Sequence, residues 1–206
     1  MNRKLFSVLL LSFSLGIGSA TAQTFARKVN TLIGTDYTGN TYPGAQAPFG
    51  MVQLSPDNGL PGWDRIAGYF YPDSTIAGFS HTHLSGTGAG DLYDISYLPA
   101  TKPFSIGEEP LGLHSKFSHK DETAYAGYYQ VRLQDYDINV ELTATPRCGV
   151  QRYTFPKNGK ERYVVLNLAK AMNWDATKNS AITLVDSFTI EGYRFSDGWA
   201  RGQRVW

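Results

Sequence analysis

Residues 137–145 read Asp137-Ile138-Asn139-Val140-Glu141-Leu142-Thr143-Ala144-Thr145, alternating apolar and polar side chains without a slip. Ile138, Val140, Leu142 and Ala144 share one face, and Asn139, Glu141 and Thr143 share the other. That period of two belongs to a half-buried β-strand. Further along, residues 161–169 (ERYVVLNLA) are more continuously apolar and read as a strand buried on both faces. The same reading places strands at 127–133, 149–155, 181–185 and 188–195, and on the amino-terminal side at 49–54, 66–71, 76–83 and 93–98. Turn signals separate them at Pro56-Asp57-Asn58-Gly59, Pro72-Asp73-Ser74 and Pro156-Lys157-Asn158-Gly159. No window sustains a 3.6-residue apolar period over three turns. Many short strands divided by turns predict an all-β fold, an antiparallel β-sandwich or a barrel.

The first 22 residues have a different character. Arg3 and Lys4 precede an apolar run at 5–17, and Ala20-Thr21-Ala22 has the small-x-small form that signal peptidase accepts. The run is too short for a comfortable membrane span. It predicts a signal peptide over 1–22, a mature chain from Gln23 to Trp206, and export to the periplasm or the medium. Loss of the leader moves the net charge from +1 to −1. A near-neutral chain without basic runs has no electrostatic reason to seek nucleic acid or an anionic membrane. Cys148 is the single cysteine, which excludes an internal disulfide. It reads as a small buried hydrophobe in a strand. Aromatic residues make up 14% of the chain, which suits both sugar handling and a β-rich core, so composition alone does not choose between them.

Polar chemistry is densest at 62–94 (GWDRIAGYFYPDSTIAGFSHTHLSGTGAGDLYD). His81 and His83 would share a face of a strand, and Asp91 or Asp94 could complete a metal-ligand set. The GTGAG run offers backbone amides as a phosphate loop does, but no lysine and no amphipathic helix follow it. A third reading makes Trp63 a stacking platform for a sugar ring, with Asp64, His81 and His83 supplying hydrogen bonds to hydroxyls. Its plain competitor is that Trp63 is core and both histidines are packing. His114 and His119 read as structural, because nothing polar in the sequence clusters with them.

Longer runs decide among these. VNTLIGT (29–35), PGA (43–45), APFGMVQLSPD (47–57) and GFSHTHLSGTG (78–88) closely resemble glycoside hydrolase family 92. Phe117-Ser118-His119, Gly127-Tyr128-Tyr129, Glu141-Leu142-Thr143-Ala144-Thr145, Gly192-Tyr193-Arg194 and Gly198-Trp199-Ala200 follow in order, so the resemblance covers nearly the whole mature chain.

That family consists of calcium-dependent, inverting, exo-acting α-mannosidases, mostly α-1,2-specific, that join an amino-terminal supersandwich-like β-sandwich to an (α/α)6 barrel. The resemblance implies that residues 23–206 are most of the sandwich. The apolar ending Gln203-Arg204-Val205-Trp206 reads as a break within a longer protein. The catalytic carboxylates and the calcium ligands are implied to lie mainly in the absent carboxyl-terminal domain, which would be this chain's partner along with a mannose-containing glycan. No residue here is therefore expected to be catalytic or to bind metal. Gly62, Trp63, Asp64, His81, His83, Ser85 and Gly86 are expected to form one wall of the substrate pocket. The chain alone is expected to be inactive, with an exposed apolar face and poor solubility. A stand-alone carbohydrate-binding module without hydrolase activity is the alternative.

Overall fold

A computed structural model describes residues 25–86, 88–102, 113–169, 175–199 and 203–205, the last three by backbone only. The expected leader lies outside these residues. A five-stranded sheet joins β1 (Ala45–Gln46), β2 (Gln53–Asp57), β4 (Gly78–Ser80), β5 (Ser96–Ala100) and β11 (Tyr163–Asn167), in that spatial order. A four-stranded sheet runs β10 (Gly149–Thr154), β9 (Ile138–Ala144), β8 (Tyr128–Leu133), β7 (Glu122–Tyr125). β12 (Ala176–Leu184), β13 (Ile190–Asp197) and β14 (Gln203–Val205) form a third sheet, and the short β3 (Thr75–Ile76) pairs with β6 (Ser115–Lys116). Every one of these pairings is antiparallel. The fold is all-β, as the alternation at 137–145 required.

The first two sheets close on one core. Leu54, Phe79 and Leu98 come from one, and Tyr129, Val131, Leu133, Ile138, Val140 and Leu142 from the other, all buried. Each large aliphatic side chain removed from water there contributes about 1.5–3 kcal/mol. Along β9, Ile138, Val140 and Leu142 point inward, while Asn139, Glu141 and Thr143 remain wholly or partly exposed.

Several expectations need correcting. Residues 161–169 are not buried on both faces: β11 pairs only with β5, at a sheet edge, and Val164 is 49% exposed. Its continuous apolarity serves a trough of about 640 Å³, where Leu166 and Leu168 face Ile182 and Ile190 of the third sheet. Residues 66–71 form no strand. Ile66, Ala67, Gly68 and Tyr69 are all buried where the chain turns at 66–67 and bends at Gly68, with Gly68 N donating to Arg65 O and Gly68 O accepting from Asn58 N. The strand expected at 49–54 starts only at Gln53, because Phe49 turns the chain in a left-handed conformation (φ 57°). That strand then runs on through Pro56 and Asp57, so the first half of the turn signal at 56–59 lies inside it. Residues 76–83 divide between β3 and β4. Cys148 is exposed in the β9–β10 turn, where its carbonyl accepts from Thr145 N. A two-strand connection leaves no room to bury it.

Candidate functional site

Trp63 opens a short 3-10 turn, Trp63–Arg65, that follows the sequence Leu60-Pro61-Gly62. The turn is anchored from behind. Arg65 grips Asp73 with both arms of its guanidinium (Nε to Oδ2 2.7 Å, Nη2 to Oδ1 2.6 Å) and lies 4.6 Å over the Phe70 ring. Buried Asn58 accepts from Phe70 N at 2.5 Å and donates to Thr75 O at 2.7 Å. These ties hold the backbone while leaving the indole 60% exposed. The tryptophan is therefore not core, and its turn is already ordered before anything contacts the ring.

The indole lies against the loop after β4. A Cβ placed on Gly88 would come within 2.8 Å of Trp63 Cη2, so only glycine admits this contact. Ser85 and Gly86 are exposed beside it, and Asp64 is exposed on the turn. Gly86 N donates to Asn40 O at 2.6 Å, which brings the 34–41 loop to the same place. Among the described residues the buried side-chain Oδ1 of Asn40 meets no hydrogen-bond donor. Gly62, Trp63, Asp64, Ser85 and Gly86 thus share one surface region, with Asn40 at its edge. Sequence reasoning missed Asn40, because a lone asparagine in a loop carries no pattern.

His81 and His83 do not join that surface. His83 is buried, with Nδ1 2.6 Å from Gln53 O and Nε2 2.9 Å from Asp57 Oδ1 and 3.2 Å from Ser80 Oγ. The Tyr42 and Tyr93 rings enclose it at 5.0 and 5.8 Å. His81 donates from Nδ1 to Ile95 O at 2.8 Å and meets the edge of Tyr97. Burial lowers its affinity for a proton, against the opposing pull of the Ile95 carbonyl. Among the described residues no group of three His, Cys, Asp or Glu side chains is arranged to hold a metal ion.

The aspartates of the 62–94 segment are also committed. Asp94 Oδ1 accepts from Arg194 Nη1, Asp94 Oδ2 accepts from Thr82 Oγ1 at 2.7 Å, and Asp91 Oδ1 accepts from Trp199 N at 2.8 Å. They clasp β13 and the segment after it to the loop that carries Ser85 and Gly86. His119 corrects the expectation that nothing polar surrounds it. Its Nδ1 donates to Glu122 Oε2 at 2.6 Å, its Nε2 lies 2.8 Å from Tyr71 O, and its ring stacks on Tyr71 at 4.0 Å. Glu122 is three residues along, but Tyr71 comes from 48 residues away, beyond the reach of local pattern reading.

The chain as a whole matches a known domain. The sequence model of the glycosyl hydrolase family 92 N-terminal domain matches residues 28–206, and the chain belongs to that glycoside hydrolase family. It is similar to the family GH92 alpha-mannosidase BT3965 from Bacteroides thetaiotaomicron, solved in complex with mannoimidazole, at 36% identity and a TM-score of 0.81. That match covers 87% of this chain and 24% of that one. The inverting mannosidase BT2199 from the same organism follows at 28% identity and a TM-score of 0.65, covering 82% and 22%. An uncharacterized secreted glycosidase of Arthroderma benhamiae is 29% identical over 181 residues, 77% of this chain and 21% of that protein. The chain therefore spans about a quarter of the length of these relatives. No helix among the described residues is long and apolar enough to cross a membrane.

Proposed function

We propose that this chain forms the sandwich wall of the glycan pocket in an exported, calcium-dependent, inverting exo-α-mannosidase, and that hydrolysis is carried out by groups outside it. The observation that carries the reading is Trp63, held exposed on a pinned turn against Gly88, with Ser85, Gly86 and the buried acceptor Asn40 Oδ1 beside it. A mannose ring has one apolar face to stack on an indole and a rim of hydroxyls to donate to such an acceptor. Gly62 and Asp64 frame the platform. In this reading His81 and His83 support the wall from within, through Ile95 and the Asp57–Gln53 pair.

Inversion needs a carboxylic acid and a carboxylate about 6.5–9.5 Å apart, with a water between them. The buried carboxylates Asp57, Asp94 and Glu122 are each hydrogen-bonded to a histidine, arginine or tyrosine. Calcium prefers six to eight oxygen ligands around it. These carboxylates do not converge on such a cage, so in this proposal both the reacting pair and the calcium belong to the remaining three quarters of the longer enzymes. The exposed apolar side chains Ile182 and Leu184 of β12, with Val185 and Phe188 of the connection to β13, fit a surface that is covered in such an assembly.

The test is release of mannose from α-mannosides with calcium present, by this chain and by the same chain continued into a full-length relative's catalytic portion. Activity only in the continued protein, reduced by Trp63→Ala, is expected. Hydrolysis by the chain alone would overturn the proposal. Tight glycan binding by a soluble chain that gains nothing from the continuation would favour the stand-alone module.

A further inference from the structure

A second exposed indole stands at the other end of the loop that Trp63 touches. Trp199, just past the end of β13, is 78% exposed. Its backbone is fixed all the same: Trp199 N donates to Asp91 Oδ1 at 2.8 Å, and Asp91 is buried. A Cβ on Gly198 would overlap that same Oδ1, so only glycine lets the chain come this close to the carboxylate. Trp63 has the matching arrangement at Gly88, where a Cβ would fall 2.8 Å from Cη2. From Gly88 to Asp91 the extended chain reaches at most about 11 Å. The two exposed tryptophans thus meet opposite ends of one short loop.

The chain leaving that loop is strained. Leu92, Tyr93 and Ile95 have left-handed backbones (φ 82°, 64° and 55°), a region that residues with side chains enter at a cost. Asp91 on Trp199 N and Asp94 on Arg194 Nη1 brace the segment from both sides. The Trp199 ring is not packed, and it stands apart from the apolar end of the β12–β13 hairpin. That end, where Leu184 pairs with Ile190, lies the length of β13 away, about 23 Å. Asp197 and Gly198, which lead into Trp199, add no apolar side chain beside it. A contact with another folded domain draws on contiguous apolar area. A lone indole whose backbone is ordered beforehand suits the apolar face of one sugar ring. We propose that Trp199 is a specificity residue for a second ring, so that Trp63 and Trp199 take two different rings of one glycan. The substrate class is then an oligosaccharide of at least two α-linked mannose rings, not a single mannose on an arbitrary leaving group. The inference rests on the reading of Trp63 as one wall of the glycan pocket.

The test compares two substrates in the continued enzyme: α-mannosyl fluoride, which offers one ring, and an α-linked mannotriose. Trp199→Ala should lower kcat/KM for the trisaccharide about five- to tenfold, through KM, and leave the fluoride unchanged. Trp199→Phe, which keeps an aromatic face, should recover most of that loss. Unchanged turnover of the fluoride also shows that the variant is folded. No loss on either substrate, with Trp63→Ala still impaired, would overturn the assignment of Trp199 and leave the glycan wall standing. Equal loss on both would overturn it too, and would make Trp199 a contact to the rest of the enzyme. Activity indifferent to Trp63→Ala would overturn the wall itself, and this inference with it.

Discussion

Arg194 of β13 donates from Nη1 to Asp94 Oδ1, a partner one hundred residues earlier, and neither side chain reaches solvent. The same guanidinium holds Thr177 Oγ1 at 2.9 Å, and Asp175 through both its Oδ2 and its carbonyl, each at 3.2 Å. Asp94 continues the chain of contacts to Thr82. A line of hydrogen bonds thus ties the third sheet to the loop that presents Ser85 and Gly86. Burial pushes the Asp175 carboxyl up, and Arg194 only partly offsets it.

Arg194→Met should therefore destabilise the fold by about 3–5 kcal/mol, the usual result of stranding a buried carboxylate without its partner. Adding Asp94→Asn should recover part of that loss, because one of the two carboxylates left without Arg194 then carries no charge. Urea unfolding of the two single variants and the double variant checks this. Additive losses would mean that the pair is not coupled.

The buried carboxylate of Glu122 gathers three donors. Tyr129 Oη and Tyr69 Oη reach Oε1 at 2.6 and 2.9 Å, and His119 Nδ1 reaches Oε2 at 2.6 Å. Burial first, and then the Glu122 charge, push both phenols far above their ordinary range. Both groups hold their protons in the folded state where the unfolded chain would release them. Stability should consequently fall as pH rises past about 10, by up to about 1.4 kcal/mol per unit for each phenol. Phenolate absorbance should show Tyr69 and Tyr129 ionising only with global unfolding. Tyr129→Phe should remove about 1.5–3 kcal/mol at neutral pH and flatten the alkaline decline.

Local pattern carried the sheets well and the site unevenly. The alternation at 137–145 is a property of consecutive residues, so β9 could be read directly. Residues 66–71 misled because four consecutive buried residues around a turn look, in one dimension, like a buried strand. Trp63 read from the residues as either platform or core, and the exposed turn that carries it was not among the predicted elements. His81 and His83 looked equivalent at two-residue spacing, yet β4 ends at Ser80 and their rings go to different surroundings. Arg194 and Asn40 were invisible as functional neighbours, since their partners lie far away in sequence and no periodicity announces a contact.

His81 supplies an acid-side counterpart to the tyrosines. Its affinity for a proton is lowered chiefly by burial, so the unfolded chain binds a proton that the folded chain refuses. Stability carried by this ring should be complete above about pH 6.5, the unfolded value, and decline as pH falls below it. His81→Gln should remove that part of the acid dependence while lowering stability at pH 8 by about 0.5–1.5 kcal/mol, for the lost bond to Ile95 O. Chemical denaturation repeated between pH 5 and 8 would show it. Equal slopes in the two proteins would assign the acid dependence elsewhere.

Gly88 and Trp63 allow position and presence of the platform to be separated. Trp63 is mostly exposed, so Trp63→Ala should change stability by no more than about 0.5 kcal/mol while removing the stacking surface. Gly88→Ala keeps the indole but places a methyl group within 2.8 Å of Cη2, so the ring must move. Gly86→Ala meets no atom within 4 Å among the described residues beyond its chain neighbours, and its penalty is the left-handed backbone at φ 70°. If the ring's position is what a glycan needs, Gly88→Ala should weaken binding nearly as much as Trp63→Ala, and Gly86→Ala much less. Near-ultraviolet circular dichroism would report the displaced indole, and glycan affinity of the continued enzyme would report its consequence. Full affinity in Gly88→Ala alongside an altered tryptophan signal would show that the platform tolerates displacement, and the wall would then owe its grip to Asn40 and the backbone at Ser85 and Gly86.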